Sequence, residues 1–261
     1  MASDLRLSRY DDLLAQITDM GRTMLTQSDY FRSPRTENIC ILRHDVEWGC
    51  INSFRQAELE ARRGIRASYY FHGPHRPKVF QPKEMERFVQ LGHEVGYHYE
   101  VLDQTDGNFE KAKAIFEDEL RQFRDAGFPT TTVCAHGNPR KRKIGYKSNY
   151  DILKRYPNLL TEQELLGEAS TSFFPTEEIF SVSDTGASMK ASVKSNAVPV
   201  SGGTVKGLLD ILHQSDPYLL HILTHPDYWS AGPVRAHALS MAGSALRVMT
   251  RGARAGLSLL R

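Results

Sequence analysis

Short apolar runs alternate with longer amphipathic segments along this chain of 261 residues. The runs are rich in β-branched and aromatic residues, which favours buried strands; they are ENICILRH, RASYYFHG, GHEVGYHY, TTTVCAHG, IFSVSD and PYLLHILTH. Helical patterns lie between them: SFRQAELEARRG, PKEMERFVQLG, GNFEKAKAIFEDELRQFRDAG and GTVKGLLDILHQS. Two of these end at glycines suited to helix C-termini, Gly92 and Gly127. Strands that alternate with helices predict a mostly parallel α/β sheet.

The same pattern predicts a single domain over residues 1–261. We expect an amphipathic N-terminal helix over 5–25, a core over about 39–229, and a basic C-terminal helix or tail over 233–261. After Asp227 there are no acidic residues, while arginines accumulate to the end of the chain. A solvated tail explains this asymmetry, and so does contact with an anionic membrane surface or a phosphate-bearing substrate.

Composition narrows the class of protein. The net charge of +2 gives no strong attraction for nucleic acid, so we expect no nucleic-acid partner. The three cysteines are an odd number without a CxxC spacing, which argues against a disulfide framework and fits a reducing compartment. No apolar stretch approaches the roughly 18 residues of a membrane span, and the N-terminus lacks the apolar core of a signal peptide. These features predict a cytoplasmic protein.

Each apolar run ends in polar, ionisable residues. These are His44-Asp45-Val46-Glu47, His72-Gly73-Pro74-His75, His98-Tyr99-Glu100, His136-Gly137-Asn138-Pro139, Asp184-Thr185-Gly186 and His225-Pro226-Asp227. In a parallel barrel such ends lie together on the face that carries the active site. The sequence therefore predicts an active site built from several strand ends.

Asp45 and Glu47 stand at i and i+2, so a strand would point both carboxylates the same way. Two neighbouring carboxylates repel unless a cation lies between them or one takes up a proton, which suits a metal ligand and a general base. The alternative is a pair of turn acids satisfied by Arg43 or by backbone amides. His98 and Glu100 repeat the spacing with side chains that are normal ligands for zinc and similar metals.

His225 follows a strongly apolar strand and precedes a proline, which makes it a candidate general acid. His221 lies four residues earlier, roughly 13 Å away along a strand at about 3.3 Å per residue, so we expect it to be a buried barrel residue. Trp229 either lines a sugar pocket or packs under the loop.

Three further residues are candidate substrate contacts. His136 is a third imidazole ligand, a substrate contact, or a histidine that satisfies its own loop. Arg140 begins a basic run, 140–143, that is either solvated or binds a phosphate or carboxylate. Asp184 either bonds substrate hydroxyls or caps a turn.

The motifs RHDVE, GHEVGYHYE, the HG after the fourth strand, SDTG and THPDYW occur in this order between Ile39 and Trp229. Because it carries these motifs in this order, the chain resembles the polysaccharide deacetylase superfamily, carbohydrate esterase family 4. It most resembles the cytoplasmic branch that is linked to O-antigen and surface-polysaccharide synthesis. The resemblance implies a distorted (β/α) barrel of about seven parallel strands. It also implies a divalent metal, most often zinc, and hydrolysis of N-acyl groups on amino sugars.

By position, the resemblance assigns Asp45 as base, Glu47 as metal ligand and His225 as acid. His98 matches the first histidine of the family's HxxxH motif, whereas the second position is Leu102, which cannot bind metal. Glu100 or Asp103 would then replace the missing histidine. Glu100 is preferred because it shares a strand-end face with His98.

These features predict a metal-dependent hydrolase that removes an acetyl or formyl group from an amino sugar. The substrate would be a sugar nucleotide or a lipid-linked glycan, met in the cytoplasm or, through the basic C-terminus, at the inner membrane face. Two alternatives stay open: a catalytically silent barrel that binds a glycan or a biosynthetic partner, and a deformylase.

Overall fold

The computed structural model describes residues 5–33, 38–137, 145–170, 174, 179–193, 196–214 and 219–229. Their strands are β1 (Thr23–Leu25), β2 (Ile39–Val46), β3 (Ser68–His72), β4 (Glu94–Tyr99), β5 (Thr132–Ala135), β6 (Gly167–Glu168), β7 (Ile179–Ser183), β8 (Lys190–Val193), β9 (Asn196–Val198) and β10 (Leu219–Thr224). Their α-helices are α1 (Leu7–Asp19), α2 (Gln27–Arg32), α3 (Cys50–Arg62), α4 (Pro82–Gln90), α5 (Val101–Gln104), α6 (Phe109–Asp125), α7 (Asp151–Arg155), α8 (Leu159–Glu162) and α9 (Val205–Leu212). Short 3₁₀ turns occupy Ser201–Gly203 and Pro226–Tyr228.

All of these strands belong to one sheet, ordered β6-β5-β4-β3-β2-β10-β7-β8-β9, with β1 also paired to β2. The strands from β6 to β7 in this order are parallel, and β8 and β9 add antiparallel pairs at one edge. A hydrogen bond across the sheet indicates that it is strongly curved: Arg43 on β2 donates from Nη1 to the carbonyl oxygen of Ala169, just after β6, at 3.1 Å, although three strands lie between β2 and β6. The predicted fold class, an α/β distorted barrel, is confirmed.

The six apolar runs predicted as strands all contain strands, and the four predicted helical segments all contain helices. The N-terminal helix is shorter than the predicted 5–25, because α1 ends at Asp19. Gly21 then adopts a left-handed backbone at φ +68°, and the chain turns into β1, which pairs in parallel with β2. The short strands β6, β8 and β9 lack a long apolar run and were not predicted.

The residues of β2 alternate between two buried environments. Ile39 and Ile41 pack with Phe174 inside the curved sheet, whereas Cys40 and Leu42 pack in the larger core against the helices. Since both faces of this strand are covered, its apolar run is continuous rather than alternating. The alternation carries on to the strand end and decides which charged side chains face the interior.

A buried carboxylate joins two helices to two strands on the outer face of the sheet. Glu60 of α3 is fully buried and accepts hydrogen bonds from the hydroxyls of Tyr10 at 2.5 Å and Tyr69 at 2.8 Å. His44 of β2 and His93 also contact this carboxylate: His44 Nε2 lies 2.9 Å from Glu60 Oε1, and His93 Nδ1 lies 3.8 Å from Glu60 Oε2. Burial opposes ionisation of Glu60, but the charge of His44 lowers the pKa of this carboxyl overall.

None of the helices among these residues is long and apolar enough to cross a membrane. Arg140 and the predicted basic segment 233–261 lie outside the described residues. The single-domain organisation therefore stays a prediction.

We predict that Glu60→Ala destabilises the fold strongly. Removing one member of a buried charged network leaves its partners unsatisfied and costs about 3–5 kcal/mol of unfolding free energy. Glu58→Ala is the matched control, because Glu58 lies on the same helix but is exposed, and its loss should stay within about 0.5 kcal/mol. Urea unfolding of both variants measures the difference; equal losses would contradict a central role for Glu60.

Candidate metal and active site

The register of the sheet brings three side chains to one level. In β2 and β3, Val46 pairs with Phe71, so Glu47 follows beside His72. In β3 and β4, His72 pairs with His98. Parallel strands end on the same side of a sheet, so these three side chains converge there.

A fourth side chain joins them from the segment after β5. His136 continues the pairing beyond β5, because its backbone N–H donates to the carbonyl oxygen of Tyr99 at 2.8 Å. Glu47, His72, His98 and His136 offer ligand atoms that all lie within 4.8 Å of one another, and we call them the His₃Glu cluster.

Each imidazole of the His₃Glu cluster turns its Nε2 atom toward the carboxylate of Glu47. The distance from Glu47 Oε2 is 3.3 Å for His72. The distance from Glu47 Oε1 is 3.5 Å for His98 and 3.4 Å for His136. Ligand atoms held about 2.0–2.2 Å from a tetrahedral zinc ion lie roughly 3.3–3.6 Å apart, so this spacing fits a small divalent metal.

The hydrogen bonding of His98 fixes its tautomer. His98 Nδ1 lies 3.1 Å from the carbonyl oxygen of Cys134, which can only accept a hydrogen bond, so Nδ1 carries the proton and donates. In its neutral form this tautomer presents a lone pair at Nε2, an atom that is buried and makes no hydrogen bond within the described residues. A buried acceptor left without a hydrogen bond is expected at a metal ligand.

Burial and charge act differently on the members of the cluster. Burial lowers the pKa of His72 to about 3, so this ring is neutral, as a metal ligand must be. Burial would raise the pKa of Glu47, but hydrogen bonds with His136 and His72 hold it well below its ordinary value. Glu47 is therefore an ionised carboxylate facing imidazoles. Three imidazoles and one carboxylate are a donor set suited to zinc and similar metals.

Glu100, the preferred replacement for the missing histidine, is engaged by cations instead. Arg76 donates to both of its oxygens, each at 2.6 Å, and His75 Nε2 lies 2.6 Å from Oε1. Glu100 Oε2 also lies 2.9 Å from His136 Nδ1, on the side of that ring opposite Glu47. Glu100 thus stands behind His136, as carboxylates do behind metal-binding histidines. Two of the groups that could hold a metal also include Glu100, so its role as a ligand stays a prediction.

The other candidate at this position is also satisfied by protein groups. Asp103 accepts from the Tyr146 hydroxyl at 2.5 Å and from Asn149 Nδ2 at 3.0 Å. Leu102 is fully buried in the helical core. The further imidazoles beside Glu47 and His98 are instead His72, at the end of β3, and His136, just after β5.

Asp45 lies beside the His₃Glu cluster and is held by an arginine. Arg43 donates to both carboxylate oxygens, from Nε at 2.9 Å and from Nη2 at 2.8 Å. Burial opposes ionisation, but this guanidinium holds the pKa of Asp45 well below its usual range. Asp45 Oδ2 lies 3.7 Å from His98 Nε2, so an ionised acceptor is fixed next to the donor set.

His225 lies directly after β10, the strand next to β2. Its strand pairs Thr224 with His44, so His225 follows at the level of Asp45. Asp184 accepts from the backbone N–H of His225 and lies 2.6 Å from its Nδ1. Burial would lower the pKa of His225, but the charge of Asp184 raises it to about 9. The ring is therefore protonated at neutral pH and suited to donate a proton.

Two predicted substrate contacts lie behind His225 rather than in an open pocket. Asp184 is fully buried, and Trp229 is 1% exposed with its Nε1 donating to Asp184 Oδ2 at 2.7 Å. The Trp229 ring also packs edge-on against Tyr10, with centroids 5.1 Å apart. These contacts place both residues behind His225, and a direct contact of either one with substrate stays a prediction.

His72 is the ligand candidate that sequence reasoning did not commit to. It was visible as a strand-end histidine, yet nothing local distinguishes it from the neighbouring His75, which lies instead between Glu100 and Glu119. His221 is a buried residue of β10, as expected. His93 is also structural, since it accepts from the backbone N–H of Ala67 at 3.1 Å.

Several solved structures resemble this chain. The catalytic domain of a peptidoglycan N-acetylglucosamine deacetylase from Eubacterium rectale is 14% identical, with a TM-score of 0.48 over 82% of this chain and 86% of that one. A CE4 esterase from Streptococcus mutans is 13% identical, with a TM-score of 0.44 over 87% of this chain and 88% of that one. A CE4 family pseudoenzyme from Bacillus anthracis is 14% identical, with a TM-score of 0.45 over 82% of this chain and 63% of that one.

The chain thus spans less than two thirds of the last of these structures. No protein-family model and no curated protein matches it.

We predict that the protein binds one equivalent of a divalent metal through the His₃Glu cluster. His72→Ala and His98→Ala should abolish stoichiometric binding, whereas Glu100→Gln should weaken it by about 10–100-fold, because it removes only the support behind His136. His213→Ala is the control, since this exposed histidine contacts Gln16, far from the cluster in sequence and fold. Elemental analysis and chelator competition provide the readout; metal retained in both alanine variants would contradict the assignment.

We predict that His225 titrates near pH 9 in the metal-free protein, as its raised pKa implies. Asp184→Asn removes the negative charge that stabilises the imidazolium, so the midpoint should move to lower pH. NMR titration of the histidine ring nitrogens measures both values. A midpoint that does not move in Asp184→Asn would show that another group controls His225.

Proposed function

We propose that this chain is a metal-dependent hydrolase that removes an N-acyl group from an amino sugar. The observation that carries the proposal is the convergence of three imidazole Nε2 atoms on the Glu47 carboxylate at 3.3–3.5 Å. Asp45, a carboxylate held by Arg43, and the protonated His225 lie beside this donor set. Together they supply the metal ligands, the base and the acid that amide hydrolysis requires.

A bound metal would polarise the amide carbonyl and lower the pKa of water at the site to about 7. Catalytic zinc sites commonly keep a position open beside three protein ligands. We therefore expect at least three of the four His₃Glu residues to hold the metal in the reactive state.

Asp45 and His225 divide the proton transfers. Asp45 is ionised and accepts the proton of the attacking water, while the two hydrogen bonds from Arg43 fix its direction. His225 carries a proton that Asp184 stabilises, and it donates that proton to the departing amine. One group is held as an acceptor and the other as a donor at the same pH, which is the arrangement that acid–base catalysis needs.

The finer assignment concerns the substrate and its place in the cell. The motif resemblance favours an acetylated or formylated amino sugar, carried as a sugar nucleotide or lipid-linked glycan in O-antigen or surface-polysaccharide assembly. We propose that the reaction takes place in the cytoplasm or at the inner membrane face, with zinc as the metal.

A second candidate function is a silent barrel that binds a glycan without turnover. The observation that favours it is the pair of hydrogen bonds that Arg43 donates to the two carboxylate oxygens of Asp45. A carboxylate whose pKa is strongly lowered in this way is a weak base. Such a protein would bind sugar but release no acid from any N-acyl substrate, with or without metal.

We predict that Asp45→Asn lowers the rate of N-acyl hydrolysis by about 10²–10⁴-fold. Metal binding should remain, because Asp45 is not a member of the His₃Glu cluster. The assay measures acetate and formate release from a panel of N-acetyl and N-formyl amino sugars, so the preferred acyl group is identified in the same experiment. Full activity in the variant would overturn the proposed role of Asp45, and no release by the metal-loaded wild type would favour the silent barrel.

A further inference from the structure

A chain of hydrogen-bonded side chains connects the His₃Glu cluster to helix α6. Glu100 Oε2 lies 2.9 Å from Nδ1 of His136, a member of the cluster. Glu100 Oε1 lies 2.6 Å from His75 Nε2, and His75 Nδ1 lies 2.7 Å from Oε1 of Glu119 on α6. Imidazoles and carboxylates alternate along this chain, so a ring nitrogen meets a carboxylate oxygen at each contact and can donate to it. One ring of the cluster is therefore linked to a helix that lies outside the site.

The two carboxylates determine the protonation of His75. Burial would lower the pKa of His75, but hydrogen bonds with Glu100 and Glu119 raise it to about 9. The ring is thus an imidazolium that donates to both acidic residues at once. A glutamine in this place has a single donor atom and would turn its carbonyl oxygen toward one of the two carboxylates.

Glu119 is fixed at the far end of the chain. It is 5% exposed and accepts from the hydroxyl of Tyr97, on β4, at 2.5 Å. Gly73 leaves room for it, because a β-carbon at Gly73 would lie 2.3 Å from Glu119 Oε2. The missing side chain at Gly73 therefore allows Glu119 to reach His75.

Arg76 also holds Glu100, but in a different way. It donates to both oxygens of Glu100, it lies next to His75 in the loop after β3, and its side chain is 29% exposed. Arg76 thus ties Glu100 to this loop. His75 extends the contact to Glu119 and so to the buried face of α6.

We propose that His75 is a positioning residue for His136. It acts through Glu100, is itself held by Glu119, and keeps His136 Nε2 directed at the centre of the His₃Glu cluster. This inference rests on the proposed function for the presence of a metal at the cluster. It deepens that function by naming the groups that control one of the candidate metal ligands.

The affinity of the full-length chain for zinc tests this role, with the metal alone as the probe. We expect His75→Gln to weaken binding roughly tenfold, as for the loss of a group that supports a metal ligand. In a chain that already carries Glu100→Gln, the same change should weaken binding by less than about twofold, because the path to His136 is already broken. Chelator competition measures the wild type, both single variants and the double variant. Wild-type affinity in His75→Gln would overturn the proposal, and so would losses that simply add in the double variant.

Two further variants disturb Glu119 and leave His75 in place. Glu119→Gln removes the charge, and Gly73→Ala adds a methyl group that displaces the end of the Glu119 side chain. Both should weaken zinc binding several-fold. Glu117→Gln is the matched control, because Glu117 lies on the same helix, is 38% exposed, and should leave the affinity unchanged. Wild-type affinity in both Glu119→Gln and Gly73→Ala would overturn the role of Glu119.

Cobalt(II) bound in place of zinc separates positioning from a general loss of stability. Its visible absorption bands depend on the arrangement of the ligands. A reoriented His136 should therefore shift the bands in His75→Gln while one equivalent of metal is still bound. Unchanged bands together with a lowered midpoint of urea unfolding would show a purely structural role and would overturn the proposal.

Metal binding and hydrolysis can fail separately. Coupled losses of zinc affinity in His75→Gln and Glu100→Gln, with no acid released from any N-acyl sugar, would support the positioning role and overturn the hydrolase. Hydrolysis by a protein whose zinc affinity is unaffected by His75→Gln would overturn the positioning role and leave the hydrolase standing. A wild type that binds no metal would overturn both.

Discussion

The site is arranged around the half-buried negative charge of Glu47, which lies against the Nε2 atoms of three imidazole rings. A carboxylate in this position is stable because the imidazoles surround it, and two of the imidazoles are held by groups on their Nδ1 sides. Cys134 accepts from His98 and Glu100 lies behind His136. The same geometry that stabilises the metal-free cluster leaves room for a cation at its centre.

Two further carboxylates show how the surroundings set the role of a charged group. Asp45 and Glu100 are each bonded by both oxygens to one guanidinium, of Arg43 and of Arg76. These arginines hold each carboxylate ionised and in one orientation, which is costly to maintain in a buried site unless the pairing is complete. Asp45 is thereby left as an acceptor beside the cluster, while Glu100 serves to orient an imidazole.

The outer face of the sheet supplies the rigidity that this arrangement needs. His44 alternates with Arg43 and Asp45 along β2, and it points away from the site to Glu60, which also binds Tyr10 and Tyr69. A shift of β2 by one residue would exchange the two sets of side chains and would bury charges against the helices. The polar cluster outside the sheet thus fixes the register on which the site inside depends.

The sequence by itself determined the strands, the helices between them, and the strand ends at which ionisable residues accumulate, because alternation and apolar runs are local properties. It also identified Asp45, Glu47, His98 and His225 as neighbours at one end of the sheet. Only the tertiary structure decided that His72 joins Glu47 while Glu100 does not. The strand register places His72 beside His98, and Arg76 binds both carboxylate oxygens of Glu100. Likewise, Trp229 and Asp184 were recognisable as motif residues, but their burial behind His225 depends on the packing of α1 against the loop after β10. The local sequence pattern determines the direction in which a side chain leaves its strand. Which partner that side chain then contacts depends on the charged groups that distant parts of the chain bring close to it.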